Sequence, residues 1–150
     1  MTAAADNPTV IVRRRIAAPA RRVFEAWLDP SSLAEWMRPS SSGATRSTVK
    51  VDARVGGAFE IVMHTPSGPR LHAGVYQVID PPRRLAFTWN SSGAGQADSL
   101  VTVDFLADGQ ATEVVISHER LPEPARAGHV AGWTALLESL AQEVEGIRGV

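Results

Sequence analysis

Apolar residues recur along this chain at two different spacings, and the changes from one to the other mark out its elements. "TVIVRRRI" (9–16) alternates, with Val10, Val12, Arg14 and Ile16 on one face and Ile11, Arg13 and Arg15 on the other, which is the period of a strand. "APARRVFEAWLDPSSLAEWM" then turns to helical spacing, with one stripe of Val23, Phe24, Trp27 and Leu28 and a second of Leu33, Trp36 and Met37. Pro19 suits the opening turn of the first helix, Asp29-Pro30 halts it, and Ser31 or Ser32 is placed to cap the second. An aperiodic stretch from 39 to 47 follows. Six strands are predicted after it, at about 48–53, 58–65, 70–79, 84–90, 99–107 and 111–119. Turn-forming stretches separate them: Gly56-Gly57, "TPSGP", "DPP", "NSSGAGQADS" and "ADGQ". Leu85, Phe87 and Trp89 mark one inward face; Val101, Val103 and Phe105, then Val114, Ile116 and His118, mark two more. Beyond "LPEP" (121–124) the longest helical stripe runs through Val130, Trp133, Leu137, Leu140, Val144 and Ile147, with Glu138, Gln142, Glu143 and Glu145 largely off it.

Short links between successive strands make them antiparallel neighbours, and a long amphipathic helix must lay its stripe on the one large apolar face available, the sheet. The expected architecture is therefore α+β: a curved, seven-stranded antiparallel sheet wrapped around a C-terminal helix, with two short helices after the first strand. A bent sheet cannot close flush on a straight helix along its whole length, so a cavity is expected between them. Residues 1–8 are expected to be a disordered tail and 9–150 a single domain; a chain of 150 residues buries roughly 70% of its unfolded surface without staples.

Composition narrows the chemistry. The chain has no cysteine, which removes disulfides, thiolate metal sites and a thiol nucleophile together. A formal net charge of −1 gives no general attraction to nucleic acid or anionic membrane, although Arg13, Arg14, Arg15, Arg21 and Arg22 make the N-terminal edge basic; a solvated face accounts for them. No apolar run reaches membrane-spanning length and the first residues lack the pattern of a signal peptide, so a cytoplasmic protein is expected. His64, His72, His118 and His129 are scattered without ligand spacing, so no metal is expected. There is no Gly-x-Ser-x-Gly elbow, and Gly56-Gly57 lies between strands rather than before a helix, so neither a serine nucleophile nor a phosphate cradle is indicated. No cofactor is expected.

The order of elements, together with "RIAAPARRVFEAWLDPSSLAEWMRP", "VGGAFEIVM", "GVYQVIDPPRRLAFTW" and "HVAGWTALLESL", resembles the START-like or SRPBCC superfamily, and within it the branch named for the activator of heat-shock protein 90 ATPase homologue. The resemblance spans residues 9 to 147 and implies the helix-grip fold, in which the sheet holds the last helix over a hydrophobic cavity. In eukaryotic co-chaperones this domain follows a separate chaperone-binding domain; none is expected ahead of residue 9, so a fold with a pocket is what carries over. The resemblance also places His129, Gly132 and Trp133 near the start of the last helix, with Gly132 permitting close approach of the sheet or preceding loop. Packing accounts for all three, the chemical alternative being an imidazole at the cavity mouth that exchanges one hydrogen bond with a ligand.

A buried charge needs a partner. Arg14 is expected to pair with an inward carboxylate such as Glu60, either fixing the sheet or anchoring the polar end of an apolar ligand, and His118 needs a partner on its own apolar face. Tyr76 is a further polar candidate. Trp27, Trp36, Phe59, Met63, Phe87, Trp89, Trp133 and Leu137 supply wall material for packing or for a pocket. Three roles follow as expectations: a non-enzymatic protein, monomer or homodimer, binding a small hydrophobic molecule; a stress-linked module with a chaperone or other protein partner; or a cyclase- or aromatase-type enzyme, which would need Arg14, Glu60 and His118 to converge.

Overall fold

A computed structural model describes residues 9–38, 44–91, 99–121 and 123–145. The elements are β1 (Val10–Ile16), α1 (Ala20–Ala26), α2 (Pro30–Trp36), β2 (Thr45–Val51), β3 (Ala58–Thr65), β4 (Gly68–Asp80), β5 (Arg84–Ser91), β6 (Ser99–Asp108), β7 (Ala111–Glu119) and α3 (Glu123–Val144). The seven strands form one antiparallel sheet in the order β1-β7-β6-β5-β4-β3-β2, which is the α+β helix-grip arrangement with α3 across the concave face. The expected tail, residues 1–8, lies outside the described residues, as does Ile147.

Register turns the alternation of each strand into rows across the sheet. Val12, Ile116, Val103, Leu85 and Ile79 face one another in succession on β1, β7, β6, β5 and β4. The next row is Val10, His118, Val101, Phe87 and Tyr76, so a single imidazole stands in an otherwise apolar or aromatic line. Tyr76, whose facing the sequence leaves open, points inward and is buried. A register shift between Tyr76 and Val78 breaks the alternation of β4 there. Gly74 is required on the same strand, because a Cβ at that position would overlap the Thr88 carbonyl and the Phe59 ring.

The two ends of α3 are held very differently. Leu136, Leu137, Leu140, Ala141 and Val144 are buried. Around them Arg22 donates to the Val144 carbonyl at 2.7 Å, Ser139 donates to the Arg38 carbonyl at 2.8 Å, and Arg14 pairs with Glu138 at 3.0 Å. From Glu123 to Gly132, by contrast, no residue is buried, and Trp133 is the first to enter the core.

Several sequence expectations are corrected. β2 begins at Thr45, inside the stretch that looked aperiodic, because its outward residues are polar and only Ser47 is buried. α3 starts within "LPEP" and carries Pro124 in its first turn, where a missing N–H costs nothing. Asp29, not Ser31 or Ser32, holds the N-cap position of α2, with Pro30 as its first residue. Val130 is 42% exposed, since this part of α3 stands off the sheet.

Candidate functional site

The deep part of the grip is filled. Trp27, Leu33, Met37, Phe59, Ile61, Tyr76, Phe87 and Trp89 surround a residual void of only about 10 Å³. Their rings interlock edge-to-face or tilted, as in Phe59–Phe87 (5.4 Å) and Phe59–Tyr76 (5.3 Å), and Trp36 packs edge-to-face on Trp27 (4.8 Å). The open space lies instead at one end, where the poorly buried half of α3 stands off β3, β4 and β5 and leaves a cleft of about 450 Å³. Met63, Thr65, Arg70, His72 and Trp89 line it from the sheet; Pro124, Ala125, Gly128, His129, Gly132, Trp133 and Leu136 line it from the helix. Gly128 and Gly132 are four residues apart on one helical face, and a Cβ on either would meet no atom within 4 Å. Gly132 thus does not permit a close approach, as expected from the sequence, but leaves room.

Beneath the cleft a buried relay fixes the aromatic floor. Ser99 has one hydroxyl proton, and it is donated to the Trp89 carbonyl at 2.8 Å. Ser99 Oγ, 2.6 Å from His118 Nε2, therefore accepts from the imidazole. At 3.0 Å the Trp133 indole N–H donates to His118 Nδ1, which must be the bare nitrogen. The relay runs in one direction, Trp133 to His118 to Ser99 to Trp89, and admits only the neutral Nε2–H tautomer. An imidazolium would set an N–H against the indole N–H. Burial, with a smaller contribution from nearby His129, lowers the His118 pKa to about 3. His118 is fully buried and joins β5, β6, β7 and α3 at one point.

Two more imidazoles border the cleft. His72 stacks on Trp89 at 4.9 Å, and burial, then His129 and Arg70, lower its pKa to about 4. The His129 ring lies edge-on to His118 at 5.0 Å, and its Nδ1 is 2.8 Å from the Ala125 carbonyl, which can only accept. Trp89 and Trp133 meet at 5.1 Å and 49°. The cleft is thus lined by the aromatic rings of His72, Trp89, His129 and Trp133, by apolar Met63 and Leu136, and by Arg70, which is exposed.

Of the residues singled out from the sequence, Met63, Trp89, His129 and Trp133 border the cleft, and His118 underlies it. Trp27, Phe59, Tyr76 and Phe87 belong to the filled interior, and the Trp27 indole N–H is buried there without an acceptor. Trp36 is core, its indole donating to the Ala26 carbonyl at 2.9 Å. Leu137 is buried and, with Arg14, borders a separate groove between β1 and α3. The Arg14–Glu60 pair does not form. Glu60 alternates with inward Phe59 and Ile61 and is exposed on the opposite face, while Arg14 reaches Glu138. Arg14, Glu60 and His118 therefore do not converge. Sequence reasoning passed over Arg70 and Gly128 and weighed His72 only as a metal ligand. His72 shares the inward face of β4 with Gly74 and Tyr76, and fixing the direction of Tyr76 would have found it.

A larger depression, about 710 Å³, lies among α1, α2 and the end of α3. Two pairs of its polar groups are engaged with each other, Ser32 with Glu143 at 3.3 Å and Glu35 with Arg46 at 2.5 Å. The aromatic cleft is the better candidate. Among the described residues no group of three or more His, Cys, Asp or Glu is placed to hold a metal ion, and no helix is long and apolar enough to cross a membrane.

A seven-stranded sheet gripping a C-terminal helix, with an aromatic cleft at one end, defines a helix-grip protein of the START-like (SRPBCC) class. Within that class the chain belongs to the family described as activator of Hsp90 ATPase homolog 1-like protein, whose model matches residues 17–145. Among solved structures it is similar to protein CV1439 from Chromobacterium violaceum, with 30% identity over 91% of this chain and 96% of that one and a TM-score of 0.82. The AHSA1-like protein from Aeromonas hydrophila is 26% identical over 93% of each chain, with a TM-score of 0.77. CalU16 from Micromonospora echinospora is 26% identical over 93% of this chain and 79% of its own, with a TM-score of 0.70. No curated protein matches the chain.

Proposed function

We propose that this chain binds a small, flat, largely apolar molecule in the cleft between β3–β5 and the first half of α3, without chemistry of its own. The observation that carries the reading is the 450 Å³ space itself, whose size suits a small-molecule site and whose lining includes two indoles, two imidazoles and the apolar Met63 and Leu136. Two glycines on the helix side support it, because they withhold side chains where an added Cβ would meet no atom within 4 Å.

Gly132→Leu tests this directly. Its Cβ meets nothing, so the side chain enters the cleft, while exchange of a helical glycine raises stability by up to about 1 kcal/mol. The wild-type protein is expected to show a ligand-dependent rise in Tm and quenching of tryptophan fluorescence with naphthalene derivatives. The variant is expected to melt no lower than the wild type without ligand and to lose both responses. Equal binding by the two proteins, or none by the wild type across a broad panel of flat apolar compounds, contradicts the proposal.

A further inference from the structure

The polar end of the ligand follows from the hydrogen-bonding capacity the cleft has left over, an argument that rests on the cleft being the ligand site. Besides His72, which has a further interaction of its own, and Arg70 at the rim, the polar side chains lining the cleft are Thr65, His129 and Trp133. The Trp133 N–H and both nitrogens of His118 belong to the relay. Thr65 donates its hydroxyl to the Gly68 carbonyl at 2.7 Å and accepts from the Ser67 N–H at 3.2 Å. His129 is different. Its Nδ1–H is committed to the Ala125 carbonyl, so in the neutral ring Nε2 is an acceptor, and no group among the described residues donates to it.

We propose that the ligand is an aromatic hydroxyl compound, a phenol in the broad sense, whose ring lies against Trp89 and Trp133 and whose hydroxyl donates to His129 Nε2. Ring and donor are both required by what surrounds them. Stacked and tilted aromatic walls favour a planar π-surface over an aliphatic chain of equal area. A bare imidazole nitrogen rewards an O–H, whereas an ether or ketone oxygen would turn lone pair against lone pair. Arg70 at the rim sets the competing possibility, a carboxylate drawn to the guanidinium, and that becomes an arm of the test.

Dissociation constants for 2-naphthol, 2-methoxynaphthalene and 2-naphthoate are to be measured by calorimetry at pH 8 with the wild type, His129→Phe and His129→Gln. The wild type is expected to prefer the naphthol over the ether by about three- to tenfold, the worth of one hydrogen bond. That preference is expected to vanish in His129→Phe and to return in part in His129→Gln, whose side-chain carbonyl accepts. Equal affinity for naphthol and ether in the wild type overturns the proposal while leaving the cleft as the binding site. So does a preference that survives in His129→Phe, or tighter binding of the naphthoate. If none of the three binds, the cleft reading itself fails.

Discussion

His118 does more than any other single residue to shape the site, and it does so without reaching the cleft. It is the one imidazole in an apolar row, and it is tolerated there because Ser99 and Trp133 occupy both of its nitrogens. His118→Leu keeps the volume roughly constant but leaves the Trp133 indole N–H buried without an acceptor. A loss of about 1–3 kcal/mol in chemical denaturation is expected, and a loss within error of zero would remove the relay from the account. The inward face of His118 was legible in the sequence from its alternation with Val114 and Ile116. Its partners were not, because Ser99 and Trp133 come from another strand and from the helix, and only the closed fold brings them within 3.0 Å. Glu60 shows the opposite case: strand parity with inward Phe59 already sets it outside, and Arg14 finds its partner on the helix, in Glu138.

At the scale of elements, strands with clean alternation were read well, and the rest less so. β5, β6 and β7 have one buried and one wetter face, and their residues face as the pattern indicated. β4 has apolar residues on both faces and a register shift after Tyr76, so parity alone could not orient it, and His72 was lost with it. α3 was legible as a helix but not as a helix with two unlike halves. A stripe of apolar residues says which face is sticky, not how far the sheet curls away beneath it. Val130 belongs to that stripe and is nonetheless exposed, while small Gly128 and Gly132, carrying no hydrophobic signal, decide where the space is. The cleft is a consequence of sheet curvature and of absent side chains, neither of which a hydrophobic pattern records.

For the whole molecule, burying two neutral imidazoles links folding to pH. The pKa values of His72 and His118 fall to about 4 and about 3 in the folded protein, against an ordinary value of 6.5. Below about pH 7.5 the unfolded chain takes up protons that the folded protein refuses, so these two groups cost stability as the pH falls and leave it essentially unchanged above about pH 8. Near pH 5 unfolding is expected to take up close to two protons at these sites, and His118→Leu close to one fewer, as read from the pH dependence of unfolding free energy. An unchanged slope in that variant would contradict a neutral buried His118. The same closed relay holds Trp133 as part of the cleft floor, which leads to the most direct test of the central claim. The four tryptophans give four indole N–H resonances in a nitrogen–proton correlation spectrum. Titration with 2-naphthol is expected to move those of Trp89 and Trp133, with the backbone amides of His129 and Gly132, and to leave that of Trp36 in place. Shifts confined to Trp27 and Trp36, or to residues of α1 and α2 around the other depression, would show that the ligand site lies elsewhere.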